Sequence, residues 1–117
     1  MASPKRFRLP ASAIRPFAPG RGSCQATDRI TVDGKRVGFM YREAPTDSID
    51  SGWHFFSGDE SQEYAGDPAN YEIYDVNTIA NYDPSIVTYL DAAAGSAFGR
   101  DEQGKWCPEE MPRDPDA

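Results

Sequence analysis

Three side chains in this 117-residue chain carry chemistry that proteins use for catalysis or metal binding. They are the two cysteines, Cys24 and Cys107, and the single histidine, His54. A thiol, an imidazole and a nearby carboxylate can act as nucleophile, base and orienting group. The same thiols and imidazole are ligand types that suit zinc. The spacing supports neither arrangement. No C-x-x-C or H-x-x-x-H pair occurs, and nothing in the chain requires Cys24 and His54 to meet. Carboxylates are plentiful, but abundance is not pairing. No catalytic residue, metal ligand or cofactor is therefore assigned. The preferred reading is a structural thiol ahead of a hairpin and a structural histidine in an aromatic strand. The two cysteines are expected to be reduced and unrelated.

The histidine lies in the stretch that organises the chain, Ile49 to Glu60. Asp50, Ser51 and Gly52 form a turn. Trp53 to Phe56 reads as a short strand, with Trp53 and Phe55 on one face and His54 and Phe56 on the other. Apolar residues on both faces predict a strand buried on both sides. Gly58 ends it. Asp59 is then expected to cap a short helix, with Gln62 as its reciprocal partner, and Gly66-Asp67-Pro68 closes that helix. Five residues here are candidates for binding a partner: Asp50, Trp53, Asp59, Glu60 and Glu63. Trp is enriched at binding hot spots, and an acidic rim steers a basic target. The competing reading makes Trp53 a core anchor and Asp50 a turn former.

Charge is distributed unevenly. The net charge is −7, from 12 basic and 19 acidic residues. Residues 1–22 contain Lys5, Arg6, Arg8, Arg15 and Arg21 and no acid. Between Glu43 and Gly99 there is no Lys or Arg, while Glu43, Asp47, Asp50, Asp59, Glu60, Glu63, Asp67, Glu72, Asp75, Asp83 and Asp91 all fall there. Such a surface repels nucleic-acid phosphates and attracts a basic protein; the plainer alternative is an acidic surface that serves solubility. No apolar run is long enough to span a bilayer. The basic start is followed by no apolar secretory core, so a cytoplasmic protein is expected.

Taken in order, residues 1–21 read as a basic, Pro-rich arm, with one helical turn at Ala11–Arg15 and a few apolar residues able to dock on the domain. The arm is expected either to fold on the acidic face of its own domain or to remain partly mobile. Asp33-Gly34 sits between two β-rich runs, Arg29–Val32 and Arg36–Tyr41, which is the signature of a type I′ hairpin. Tyr71–Val76 reads as a strand. Asn77 is expected to cap a brief helical turn, and Asp83-Pro84 to open a helix whose buried face is Ile86, Tyr89 and Leu90. Residues 96–107 form a last hairpin. Residues 108–117 read as an acidic, Pro-rich tail with little to bury.

The order of motifs resembles one bacterial family. The resemblance rests on Gly22-Ser23-Cys24-Gln25-Ala26-Thr27-Asp28, Val37-Gly38-Phe39-Met40-Tyr41-Arg42-Glu43 and Asp50-Ser51-Gly52-Trp53. It continues through Gly58-Asp59-Glu60, Tyr74-Asp75-Val76-Asn77-Thr78-Ile79-Ala80-Asn81-Tyr82-Asp83-Pro84 and Gly95-Ser96-Ala97-Phe98. The family was first described as a domain of unknown function. It was later grouped with the predicted immunity proteins of polymorphic toxin systems, as the thirty-third immunity family. The resemblance implies an α+β domain over residues 22–107 and a non-enzymatic protein that neutralises a toxin.

Together these readings predict a single α+β domain. An antiparallel sheet of about four to six strands would carry two or three short helices. Its expected function is to bind a toxin or other basic protein through the acidic surface, with no nucleic acid and no membrane involved. The alternative is a stand-alone domain that binds a small ligand near Trp53 and Tyr82. The oligomeric state is open.

Overall fold

The computed structural model describes residues 5–112. The first four residues of the arm and the last five of the tail lie outside that range. One sheet holds six strands in the order β4-β1-β3-β2-β5-β6. They are β1 Ser23–Thr27, β2 Phe39–Arg42, β3 Asp50–Phe56, β4 Tyr71–Asp75, β5 Ala97–Arg100 and β6 Trp106–Glu109. Three short helices accompany it: α1 Asp28–Thr31, α2 Gln62–Ala65 and α3 Val76–Tyr82. Single 3₁₀ turns occupy Ala11–Ala13, Pro68–Asn70 and Pro84–Tyr89. The class is α+β, as expected. The sheet is mixed, not purely antiparallel, because β1 pairs parallel with β3. The connection between those two strands carries α1 and β2, long enough to return the chain to the same end of the sheet.

The hairpin expected at Asp33-Gly34 is absent. Arg29–Val32 lies in and just after α1, and the strand ahead of it is Ser23–Thr27. Gly34 takes φ +79°, and its N–H donates back to the Ile30 carbonyl at 3.0 Å. That five-to-one bond onto a left-handed glycine is the αL closure of a helix. A hairpin turn and a helix stop both need positive φ, so Asp-Gly suits either. Ile30 and Thr31, both 0% exposed, decide for the helix, because they bury one side of α1 against the core.

Other local readings agree in kind and differ in detail. Ser61, not Asp59, caps α2, accepting from Tyr64 N–H. Asp75, not Asn77, caps α3, accepting from Asn77 N–H at 2.8 Å. Asp83 caps the next turn as expected, but that turn is 3₁₀ throughout. The last strand runs to Glu109, into the stretch read as tail.

The core lies on one face of the sheet. Strand alternation sends Cys24 and Ala26 from β1, Met40 from β2, and Trp53 and Phe55 from β3 to that face. Val76, Ile79 and Ala80 of α3 cover them, at the i, i+3, i+4 spacing of one helical side. Ile86 and Leu90 close one end. Burying Phe55 completely is worth about 2–3 kcal/mol.

The arm is docked on the helical side. Arg8 N–H donates to the Thr31 carbonyl at 2.7 Å, and Leu9 N–H donates to the Tyr82 hydroxyl at 3.0 Å. Asn77 and Asn81 grip it further on. Asn77 Oδ1 accepts from Ala18 N–H, Asn81 Oδ1 accepts from Arg15 N–H, and both amide nitrogens donate to the Arg15 carbonyl. Phe7 meets the ring of Tyr74 edge-on, Lys5 pairs with Asp28 and Glu72, and Arg21 pairs with Asp91.

Candidate functional site

Among the described residues the second face of the sheet carries no helix layer. Its cross-strand register places Ile73, Gln25, His54, Tyr41, Ala97 and Glu109 in one row across all six strands. One step along, Phe56 stands opposite Phe39. Tyr41 stacks on His54 at 4.7 Å and on Phe56 at 5.7 Å. Phe39 lies 6.0 Å from Phe56, and Tyr71 meets Phe56 edge-on at 6.1 Å. Ile73 stands 70% exposed beside them. A half-buried plate of aromatic rings is thus presented without a covering layer. The expectation that β3 is buried on both sides is corrected here: its second face is sheltered by neighbouring rings, not by a second layer.

Depressions cross this face. One of about 540 Å³ is lined by Gln25, Tyr41, His54, Phe56, Tyr71 and Ile73, with Ala65, Gly66 and Pro68 forming a wall. A second of about 400 Å³ shares Tyr41, Phe56 and Tyr71 with it and reaches Phe39 and Glu60. A third of about 210 Å³ shares Gln25, His54 and Ile73 and ends among Glu43, Asp47 and Asp50. The second also reaches Pro112, and among the described residues none of these linings contains a Lys or Arg. A fourth depression, on the Lys35 side, mixes Lys35, Arg36 and Arg100 with Asp59, Asp101 and Glu102, so its charges largely offset one another.

Desolvation is the largest influence on the Tyr41 phenol and the His54 imidazole of the open face. It pushes the Tyr41 phenol up to about 12, with Glu43 and Tyr71 adding to it. It also pulls His54 below the ordinary histidine value, against the opposing pull of Glu43 and Asp50. His54 Nε2 lies 3.5 Å from Glu43 Oε2. At neutral pH the imidazole is therefore uncharged.

The five candidate residues are not one patch. Trp53 is 2% exposed on the core face, with its indole N–H donating to the Leu90 carbonyl at 3.3 Å. It lines the cavity of about 110 Å³ shared with Leu90 and Arg42 and also the depression of about 210 Å³, both under the ~300 Å³ lower bound of ordinary ligand pockets. Tyr82 is likewise engaged, donating to the Thr31 carbonyl at 2.9 Å. Asp50 accepts from Gly52 N–H and from Thr46 N–H and Oγ1, and those bonds hold its carboxyl below the usual range. Glu60 takes Thr27 Oγ1 at 2.6 Å and the Ser57 and Gly58 N–H groups. Asp59 is paired with Lys35 and Arg29, and the Lys35 and Ser57 bonds lower its carboxyl. Glu63 is exposed on α2. The structure brings Asp50 and Glu60 to opposite ends of the open-face depressions and sends Trp53 to the other side of the sheet.

Phe39, Tyr41, Phe56, Tyr71 and Ile73 were not singled out from the sequence. Alternation marks each as sharing a face with its neighbours two residues away. Only the strand order reveals that these faces join.

The thiol and imidazole stand on different sides of the sheet. Gln25 is the residue opposite His54, so Cys24 beside it points into the core. Cys24 is 2% exposed, and burial pushes its thiol far above the ordinary value. Both cysteines are free, and no cluster of His, Cys, Asp and Glu suited to a metal occurs among the described residues.

No curated protein and no solved structure matches the chain. One family does: the immunity protein Imm33 domain matches residues 24–110, a span that runs from β1 through β6 and takes in the whole open face. The chain therefore belongs to the Imm33 immunity protein family.

Proposed function

We propose that this protein is a non-enzymatic immunity protein that acts in the cytoplasm and neutralises a toxin by covering it with the open face of its sheet. The observation that carries the reading is the unlayered plate of Tyr41, His54, Phe56 and Tyr71 beside Glu43, Asp47 and Asp50. Exposed aromatic surface ringed by polar groups is the usual composition of a protein-binding centre. The charge sign selects the partner. Glu43, Asp47 and Asp50 meet no Lys or Arg among the described residues, so the rim favours a basic surface and accelerates its approach. The exposed Glu63 of α2 and Glu60 in the second depression add the same sign, while Asp59 is paired with Lys35 and Arg29.

Family membership supports the immunity role in general; the face and the basic character of the partner are inferred from geometry and charge. The test is co-expression with each toxin domain encoded beside the gene. Wild type should restore growth, and Tyr41→Asp with Phe56→Asp should abolish rescue while the chain still unfolds cooperatively. Rescue unaffected by those changes would sink the open-face reading.

A further inference from the structure

The depressions of the open face join into one groove, and the groove has two chemically different ends. They share residues pairwise: Tyr41, Phe56 and Tyr71 link the first to the second, and Gln25, His54 and Ile73 link the first to the third. The Phe39–Phe56 end is mainly aromatic; its one acid, Glu60, is already bonded by Thr27 Oγ1 and the Ser57 and Gly58 N–H groups. The other end is acidic, with Glu43, Asp47 and Asp50. The ladder sets the spacing between them. Phe39 pairs with Phe56, Tyr41 pairs with His54, and Glu43 N–H bonds to the Gly52 carbonyl. Each step is two residues, or ~7 Å along a strand. Gly52 leaves the floor bare at the third step. It takes φ +85°, and a Cβ there would lie 2.1 Å from the Glu43 carbonyl oxygen.

We infer that the groove reads a short extended segment of a basic partner protein, with an apolar side chain seated over Tyr41, Phe56 and Tyr71 and a Lys or Arg two residues on reaching Glu43 and Asp50. Side chains two apart in an extended segment point the same way and lie ~7 Å apart, which matches one step of the ladder. The apolar member gains ring contact and leaves water. The cation gains carboxylates that no Lys or Arg of this chain occupies among the described residues. A segment with Glu in the second place would meet like charge there.

This inference rests on the proposed toxin-binding face, and it can fail separately. The test uses the full chain, labelled with nitrogen-15, and three blocked pentapeptides: Ser-Leu-Ser-Arg-Ser, the same with Glu replacing Arg, and the same with Ser replacing Leu. The Arg peptide should shift the amide signals of Tyr41, Glu43, His54 and Phe56 saturably at millimolar concentration. The other two should bind at least about tenfold more weakly. Glu43→Gln, which keeps the shape of the side chain, should shrink the preference for Arg over Glu to about threefold. Equal binding of the Arg and Glu peptides overturns the inference. So do shifts confined to α3 or the arm, or no saturable shift at all. If toxin rescue still depends on Tyr41 while the Arg peptide shows no advantage, the two-point motif falls and the immunity face stands.

Discussion

Single side chains set the electrostatics of the open face and the integrity of the fold beneath it. His54 is held neutral by burial. In the unfolded chain its value returns to about 6.5. As pH falls below that point the unfolded state takes up the proton first, so stability is lost as the solution acidifies toward the lower folded value. Stability measured by urea at pH 7.5 and 5.5 should drop for wild type and drop less for His54→Gln. A second residue-scale prediction concerns Asp83, which is 6% exposed. It accepts from Arg100 Nη2 at 2.6 Å and from Val37 N–H at 3.1 Å. Asp83→Ala leaves the buried Val37 N–H without an acceptor and takes the carboxylate from the Arg100 guanidinium, which keeps the Val37 and Gly104 carbonyls, and should cost about 2–3 kcal/mol in denaturant unfolding. Gly38 is a third such point, because a Cβ there would lie 2.0 Å from the Ser57 carbonyl oxygen. Its neighbour is the backbone of Ser57 and Gly58, and a close backbone approach leaves no side-chain signature in the sequence.

The elements show what local pattern can and cannot carry. β4, the Trp53–Phe56 half of β3, the β5–β6 hairpin and the turn after Asp83 were legible from an aromatic and β-branched run, an aromatic run, a polar turn and an Asp-Pro pair; Asp50-Ser51-Gly52, read as a turn, is the first part of β3. α1 was not. Its Arg29-Ile30-Thr31-Val32 run favours a strand by propensity, and burial of Ile30 and Thr31 overrides that preference. The parallel β1–β3 pair was also out of reach, since strand order depends on contacts far apart in sequence. The arm was left as either docked or loose, and it docks. Its grip comes from Asn77 and Asn81, whose types suggest caps and turns, while their partners lie some sixty residues away. Replacing both with Ala should loosen the Arg15–Ala18 part of the arm with little loss of global stability. Limited chymotrypsin digestion should then cut after the exposed Phe17 faster than in wild type, while the midpoint of thermal unfolding moves by only a few degrees.

At the scale of the whole molecule, the sheet is a partition. One face packs α1, α3 and the arm into the core. The other leaves rings and carboxylates uncovered. This division explains why the candidate residues scatter: the Trp53 that looked like a hot spot is the core anchor, and Tyr41 and Phe56, which carry no motif, hold the open face. It also explains how an acidic chain can carry a basic arm, since Lys5 and Arg21 are paired with acids of their own domain and leave the groove rim unneutralised. The most direct test of the account is amide hydrogen exchange on the chain alone and bound to the toxin encoded at its own locus. The account predicts slowed exchange in β2, at His54–Phe56 of β3 and at Tyr71–Ile73 of β4, with α3 and the arm unchanged. Protection confined to α3 and the Pro84–Tyr89 turn, with β2 and β3 exchanging as before, would contradict it.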